Sequence, residues 1–313
     1  MSYRRGLPQL AGDRLFVTDG GLETVLIFHR GIELPEFAAF DLLKDEAGAA
    51  AIRAYYQPYI ETAREHGAGY ILEAPTWRAS RDWARRLGYS TDSLAAANRR
   101  AIALMEELRA EYEGLVSPIV ISGCIGPRGD AYAPAELMSA REAEEYHGEQ
   151  LETLAATAAD MATALTLTYA EEAVGIAGAA AAVALPVAIS FTVETDGRLP
   201  SGQPLGDAIE RVDAEAGSAP VYYMVNCAHP AHFTEVLADG DGWLERLLGV
   251  RANASMRSHE ELDEAEDLDD GDPVDLGARH RELARRLPHL RVVGGCCGTD
   301  HRHVAEICAA LRG

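Results

Sequence analysis

Positive charge is the scarcest property of this chain. Lys44 is its only lysine, and the 28 Lys and Arg residues face 50 Asp and Glu residues, so the net charge is −22 at pH 7. Binding to nucleic acid needs basic surface to neutralise phosphates. Binding to anionic membranes also needs clustered basic residues. We therefore expect neither nucleic acid nor a membrane among the partners.

Long apolar runs and a targeting signal are also missing. No apolar run reaches the ~18 residues that a membrane span requires, and the first residues, Met1–Arg5, are not followed by the apolar region of a signal peptide. We therefore expect a cytoplasmic protein. The cysteines are few and odd in number, which does not suit a disulfide framework and favours metal ligands or reactive thiols in a reducing compartment. They are Cys124, Cys227, Cys296, Cys297 and Cys308.

What the chain does contain is a regular alternation of strand-like and helix-like runs over 313 residues, 48% of them hydrophobic. The predicted strands are Leu15–Thr18, Tyr70–Leu72, Ile119–Ser122, Met161–Thr166, Val187–Phe191, Val221–Val225, Leu247–Arg251 and Leu290–Val293. The predicted helices are Glu46–Glu65, Ser93–Glu111, Ser139–Ala159, Glu171–Ala182, Leu205–Ala216, Pro230–Leu237, Pro273–Arg286 and His301–Arg312. Eight successive strand–helix units predict the α/β class and one (β/α)8 TIM barrel domain over residues 1–313. A doubly wound sheet is the alternative, although it would rarely need eight units.

A dense acidic run, Glu260–Asp272, follows the seventh predicted strand. We interpret it as a solvated loop leading to the next helix. A calcium site is the alternative, but the run lacks the alternating acidic spacing and the glycine of an EF-hand loop.

In a (β/α)8 barrel the reactive side chains come from the C-terminal ends of the strands. The residues at these positions are Asp19, Glu73, Cys124, Thr166, Glu194, Cys227, Asn253, Cys296 and Cys297. Cys227 ends the sixth strand, and the adjacent pair Cys296-Cys297, which cannot easily form a disulfide, ends the eighth. Three thiolates in one barrel mouth predict a tetrahedral Zn²⁺ site whose fourth position is open for catalysis. Alternatively, these cysteines are small buried residues.

Four segments, in order along the chain, resemble the homocysteine S-methyltransferase family. They are Asp19-Gly20-Gly21, Gly126-Pro127, Asn226-Cys227 and Gly294-Gly295-Cys296-Cys297-Gly298-Thr299. The family includes betaine–homocysteine methyltransferase and the homocysteine module of cobalamin-dependent methionine synthase. The resemblance spans nearly the whole chain. It implies a zinc-bearing barrel that methylates a thiol, with Cys227, Cys296 and Cys297 on the zinc-ligand positions.

The implied chemistry depends on the metal. A free alkyl thiol is mostly protonated near neutral pH, and binding to Zn²⁺ keeps it as a nucleophilic thiolate. No catalytic side chain is required beyond this zinc-activated thiol. The expected partners are a small-molecule thiol, by resemblance homocysteine giving methionine, and a donor with a methyl on sulfonium, ammonium or cobalt. The sequence does not identify the donor, and a homo-oligomer is compatible with it.

One position departs from the family pattern. The family has a Glu-Thr pair at the end of the fourth strand, and its glutamate binds the amino group of homocysteine, whereas this chain has Leu165-Thr166. Either another acid replaces that glutamate, or the acceptor is a thiol or selenol without an amino group. Glu73 and Glu194 are the replacement candidates, although the first could cap a helix and the second could be a surface acid.

The expected substrate-binding residues are therefore Asp19, Gly20, Gly21, Glu73, Thr166, Glu194 and Asn226. Trp77 and Trp83 either wall the donor pocket or belong to the core. Two other functions stay open. One is a barrel that binds zinc and a thiol without turnover, and the other is a redox enzyme that uses Cys296 and Cys297. The adjacent cysteines argue against the redox enzyme, because redox dithiols usually have two residues between them.

Overall fold

Eight parallel strands close into a barrel in the order of the sequence. The computed structural model describes residues 2–132, 137–237, 242–265 and 267–312. The strands are β1 Phe16–Val17, β2 Gly69–Glu73, β3 Ile119–Ile125, β4 Met161–Leu167, β5 Val187–Phe191, β6 Pro220–Asn226, β7 Leu247–Ala252 and β8 Val292–Gly295. The predicted α/β class and (β/α)8 barrel are therefore confirmed.

The helices lie between the strands and surround the barrel. The α-helices are α1 Leu22–Thr24, α2 Glu46–Glu65, α3 Arg81–Arg86, α4 Thr91–Tyr112, α5 Ala140–Ala155, α6 Ala170–Ala182, α7 Leu205–Glu215, α8 Pro230–Phe233, α9 His259–Asp263, α10 Pro273–Arg286 and α11 His301–Arg312. A π-helical segment, Val25–His29, continues α1, and short 3-10 helices cover Pro8–Leu10, Pro35–Phe37, Ala39–Lys44 and Gly242–Arg246. Helices α2, α10 and α11 have the predicted bounds. Ser139 caps α5 in a reciprocal pair with Glu142, as the Ser-x-x-Glu pattern predicts.

Strand β1 closes the barrel by pairing with both β2 and β8, through Phe16 opposite Gly69 and opposite Val292. Parallel pairing brings every strand's C-terminal end to the same rim. Near that rim, Glu73 of β2 is level with Ser122 of β3, and Arg251 of β7 is level with Gly294 of β8. This register brings side chains that are far apart in sequence into one mouth.

Two apolar layers hold the barrel. One fills its interior, where Phe16, Val120 and Met161 are fully buried. The other lies between the strands and the surrounding helices. Strands covered on both sides read as nearly continuous apolar runs, which is why they are recognisable in the sequence. Among the described residues, no helix is both long and apolar enough to cross a membrane.

Several predicted boundaries were wrong. Strand β3 continues to Ile125, so Cys124 lies inside a strand rather than at its end, and β8 begins at Val292 rather than at Leu290. Helices α1, α3 and α9 were not predicted, because the longest of them has 6 residues and all are too short to show a periodic apolar pattern.

The acidic run Glu260–Asp272 is not the uniformly solvated loop that its composition predicts. Its first residues form α9, and Asp272 caps α10 by accepting from the amides of Val274 and Asp275. Glu266 lies outside the described residues. Backbone amides at helix starts need acceptors, so part of this acidity serves helix capping.

Candidate active site at the barrel mouth

Three cysteine thiols meet at the rim where β6 and β8 end. The Sγ atom of Cys227 lies 3.1 Å from that of Cys296 and 3.5 Å from that of Cys297, and all three lie within 4.8 Å of one another. Tetrahedral zinc with Zn–S bonds of about 2.3 Å places its sulfur ligands ~3.8 Å apart. The three thiols therefore fit a soft metal ion after a small outward adjustment, with the cavity on their open side.

The end of β6 holds Cys227 in an uncommon backbone conformation. Its φ is +57°, in the left-handed region that non-glycine residues seldom adopt. Its carbonyl oxygen accepts from Asn253 Nδ2 at 3.0 Å and from Thr192 Oγ1 at 3.3 Å, and it lies 2.8 Å from His259 Nε2. These contacts from other parts of the rim compensate the backbone strain and aim the thiol at its two partners.

The end of β8 can present its cysteine pair because two glycines precede it. A Cβ on Gly294 would collide with the Thr18 hydroxyl of β1, and one on Gly295 would collide with the Thr299 side chain. The close approach lets Gly295 donate its amide to the carbonyl of Asp19 at 2.9 Å. The two glycines thus let the cysteine turn pack closely against the end of β1.

Hydrogen bonding with the thiols of Cys227 and Cys297 lowers the pKa of Cys296 well below its usual range. The buried guanidinium of Arg251 and the Asn226 amide, whose Nδ2 lies 3.7 Å from the Cys296 sulfur, act in the same direction. One thiol of the cluster is therefore stabilised as thiolate by its surroundings, as a metal ligand must be.

Asn226 connects three strand ends to the thiol cluster. Its Oδ1 accepts from the Thr166 amide at 2.8 Å and from Ser190 Oγ at 2.6 Å, while its Nδ2 donates to Thr166 Oγ1 at 2.8 Å. Thr166 has a φ of +63°, a rare value for a β-branched residue. Both predicted residues line the cavity, and this network fixes the backbone bend at the end of β4.

Asp19 also lines the cavity, but its carboxylate is already engaged. Oδ1 accepts from Arg251 Nη2 at 2.7 Å, and Oδ2 accepts from Tyr55 Oη at 3.0 Å. Burial raises the pKa of Asp19, although the charge of Arg251 opposes the shift. Gly20 and Gly21 border the cavity as well, but a Cβ on either would collide with the Cys296–Thr299 turn, so they serve close packing there.

Glu73 and Glu194, the two candidate acids, point to different places. Glu73 is 4% exposed and lines the cavity, its Oε2 has no hydrogen-bond partner among the described residues, and burial raises its pKa to about 7. Glu194 lies beyond the end of β5, and its Oε1 contacts His259 Nδ1 at 3.0 Å. The cavity thus contains Glu73 but not Glu194, and Leu165 forms an apolar part of its wall.

Several cavity residues were missed by sequence reasoning. Tyr132 Oη lies 3.0 Å from Cys227 Sγ and 3.5 Å from Cys297 Sγ, and its ring stacks on His259 with centroids 4.1 Å apart. Arg251 looks like part of an apolar strand, and nothing in its local sequence predicts burial beside Asp19. Glu23 follows the Asp-Gly-Gly turn, and burial raises its pKa to about 7. Its nearness to that motif is the one signal that could have identified it.

The cavity enclosed by these residues has a volume of about 180 Å³. The three thiols lie on one side of it. Trp77, Arg78 and Phe37 lie on the rest of its wall. A volume of this size suits a metabolite of a few heavy atoms more than a macromolecule.

Comparison with known proteins agrees with this arrangement. The sequence profile described as homocysteine S-methyltransferase matches residues 16–311. No curated protein sequence matches the chain significantly.

Among solved structures, the chain is similar to the homocysteine methyltransferase MmuM from Escherichia coli. The oxidised form has 20% sequence identity and a TM-score of 0.77, with 99% of each chain covered. The metallated form has 18% identity and a TM-score of 0.75, covering 98% of this chain and 99% of that chain. At this identity the likeness supports the fold, whereas the family follows from the profile match. The chain belongs to the homocysteine S-methyltransferase family and is a methyltransferase.

Proposed function

We propose that this protein is a zinc-dependent thiol S-methyltransferase that transfers a methyl group from a small activated donor to homocysteine, giving methionine. We also propose that residues 1–313 form one domain and that the protein acts in the cytoplasm. The observation that carries the proposal is the cluster of Cys227, Cys296 and Cys297 thiols within 4.8 Å of one another, facing a cavity of metabolite size.

Cys227, Cys296 and Cys297 would hold the metal. When bound, zinc would supply Lewis acidity that keeps an acceptor thiol deprotonated and nucleophilic. The surrounding residues hold this ligand set in place. Asn226 and Arg251 favour the thiolate of Cys296, and His259 fixes the Cys227 carbonyl. The Tyr132 hydroxyl contacts two of the thiols and borders the space that an acceptor thiol would enter.

Glu73 is the best candidate for binding the amino group of homocysteine. Leu165, which stands where the family has its acid, cannot pair with an ammonium, and leaving that charge buried and unpaired would cost several kcal/mol. Glu73 has a buried, unpartnered oxygen on the same cavity. Glu23, another acid on the cavity wall, is the second candidate.

The alternative acceptor is a small thiol or selenol without an amino group, favoured by the apolar side chain of Leu165 in the cavity wall. Comparing kcat/KM for homocysteine with that for its deaminated analogue, 4-sulfanylbutanoate, distinguishes the two acceptors. Preference for the deaminated thiol would favour the alternative.

The proposed function is tested by metal analysis together with a methyl-transfer assay. We expect about one zinc per chain in the wild-type protein. Cys297→Ser should lose both the zinc and the methyl transfer. It should keep its fold, because catalytic metal sites at a barrel rim are not folding nuclei. Cys308→Ala, which changes a cysteine buried in α11 outside the cluster, is the matched control and should keep both metal and activity. Full activity in metal-free Cys297→Ser would refute the proposal. Bound zinc without turnover for any donor would indicate a non-catalytic zinc- and thiol-binding barrel.

A further inference from the structure

Arg78 lies on the cavity wall and forms no ion pair with any of the described residues. Its Nε is buried without a hydrogen-bond partner, and no carboxylate among the described residues forms an ion pair with its guanidinium. The other arginine on the cavity wall, Arg251, is paired with Asp19. Buried donors without partners are costly, so an unpartnered donor in a cavity wall suggests an acceptor on a ligand.

Aromatic rings hold the Arg78 guanidinium in position. Its Cζ lies 3.6 Å from the centroid of the Trp83 ring and 4.9 Å from that of Trp77. Stacking covers the faces of the planar guanidinium and leaves the N–H groups at its edge free to donate. Arg86 also packs on the Trp83 ring, with its Cζ 4.5 Å from the ring centroid. The side chain is therefore ordered before any ligand binds, which reduces the entropy cost of binding.

A second unpartnered donor lies beside it. Trp77 Nε1 is buried, lines the same cavity and has no hydrogen-bond partner among the described residues. Gly126 makes room for this indole, because a Cβ there would lie only 2.8 Å from Trp77 Nε1. The Gly-Pro sequence after β3 thus positions Trp77, and the turn after β2 places two adjacent donors without partners among the described residues in the cavity wall.

We propose that Arg78, with the indole N–H of Trp77, binds the carboxylate of a substrate in this cavity. Two donors without an acceptor call for a hydrogen-bond acceptor on the ligand, and the charge and planar fork of arginine match a carboxylate. The substrate class is therefore a carboxylate-bearing thiol or a carboxylate-bearing methyl donor. The inference rests on the proposed function only for the view that a thiol and a methyl donor enter the cavity.

The test compares ligands that differ only by the carboxylate. For the acceptor the pair is homocysteine and 3-aminopropane-1-thiol. For the donor the pairs are glycine betaine with tetramethylammonium, and dimethylsulfoniopropionate with ethyldimethylsulfonium. Binding is followed by tryptophan fluorescence in the Trp243→Phe background, where Trp77 and Trp83 are the remaining tryptophans. Kinetic constants are measured in parallel, so that binding is observed even where no methyl transfer occurs.

We expect Arg78→Met to weaken binding of the carboxylate-bearing member of one pair by roughly 10- to 100-fold, as loss of a charged hydrogen bond implies. Binding of the other member of that pair, which lacks the carboxylate, should change by no more than about twofold. Arg86→Met is the matched control, because Arg86 contacts the same indole but pairs with Glu36 and does not line the cavity. It should leave both members of each pair unchanged. Selective loss in the homocysteine pair assigns the carboxylate to the acceptor, and selective loss in a donor pair assigns it to the donor.

Equal losses for both members of every pair, or no loss at all, would overturn the inference. If Arg78→Met does not fold, Arg78→Lys decides, because it keeps the charge but loses the planar fork and should still weaken only the carboxylate-bearing ligands. Wild-type protein that binds carboxylates through Arg78 but transfers no methyl group would refute the proposed function and leave this inference standing.

Discussion

At the scale of single residues, Glu73 and Glu194 are the two acids that the sequence offers as replacements for the family glutamate. Their side chains point to different places. Glu73 is the last residue of β2 and points into the barrel mouth, while Glu194 lies in a loop and contacts His259. Successive side chains of a strand point to opposite faces, so position along the chain alone does not decide which acid reaches a ligand. The buried Oε2 of Glu73, which has no hydrogen-bond partner among the described residues, leads to two predictions.

The first prediction concerns the substrate ammonium. Glu73→Gln removes the charge that would pair with the amino group, so KM for homocysteine should rise by roughly tenfold or more. The deaminated analogue has no ammonium, so Glu73→Gln should use it as efficiently as the wild-type protein does. Steady-state kinetics with both thiols measure this difference. Glu194→Gln is the control, and an equal KM increase there would contradict the assignment to Glu73.

The second prediction concerns stability against pH. Burial raises the pKa of Glu73 from 4.5 to about 7, so between these values the folded state keeps a proton that the unfolded state has lost. The stability associated with this proton is fully present below pH 4.5 and is lost as the pH rises through about 7. Glutamine never ionises. Glu73→Gln should therefore be more stable than the wild type at pH 8, by on the order of 1–3 kcal/mol, and nearly equal to it at pH 5.

Thermal unfolding at the two pH values measures this effect. Glu65→Gln, at an exposed position on α2, is the control for a simple change of net charge. A shift in Tm that is the same at pH 5 and pH 8 would show that Glu73 is not a buried acid with a raised pKa.

At the scale of elements, the short helix α9 supports the backbone of Cys227, which lies at the end of β6. His259 lies 2.8 Å, through Nε2, from the carbonyl oxygen of Cys227, and its ring stacks on Tyr132. Contacts behind a metal ligand commonly change metal affinity by about 10- to 100-fold. The segment between β7 and α10 therefore helps to position the end of β6.

The third prediction follows from this contact. His259→Ala should raise the dissociation constant for zinc by about tenfold, because Cys227 loses a group that holds its backbone. Glu194→Gln changes only the group behind the imidazole and should have a smaller effect. Competition with a chromophoric chelator measures both affinities. Wild-type affinity in His259→Ala would mean that Asn253 and Thr192 hold the Cys227 carbonyl sufficiently by themselves.

At the scale of the whole molecule, the candidate metal site and the core are separate. The thiols lie on the rim, whereas the fully buried apolar residues fill the barrel and the layer under the helices. A ligand that binds only the folded state still adds stability by mass action. Metal should therefore strengthen the fold without being needed to form it.

The fourth prediction is that chelation abolishes methyl transfer and lowers Tm by several degrees, while the far-UV circular dichroism stays unchanged. Cys297→Ser, treated in the same way, should show no further decrease in Tm. Loss of helical signal on chelation would instead indicate a structural metal.

The sequence alone determined the barrel and the thiol cluster. Strands buried on both faces are recognisable as apolar runs, and the bounds of α2, α10 and α11 follow from helical spacing. The cysteines could be identified because each follows directly on a strand, and parallel strands in a barrel all end at one rim. These inferences need only local sequence and the rule of the fold.

Only the tertiary structure decided which other side chains share that rim. Arg251 and Asp19 are 232 positions apart and meet because β7, β8 and β1 are neighbours in the closed barrel. Tyr132 reaches the thiols from a long connection after β3, where the sequence shows no periodic pattern. Arg78 Nε and Glu73 Oε2 lack hydrogen-bond partners among the described residues, and this depends on every segment packed around them. Burial and missing partners arise from packing between distant segments, so no local pattern in the sequence can reveal them.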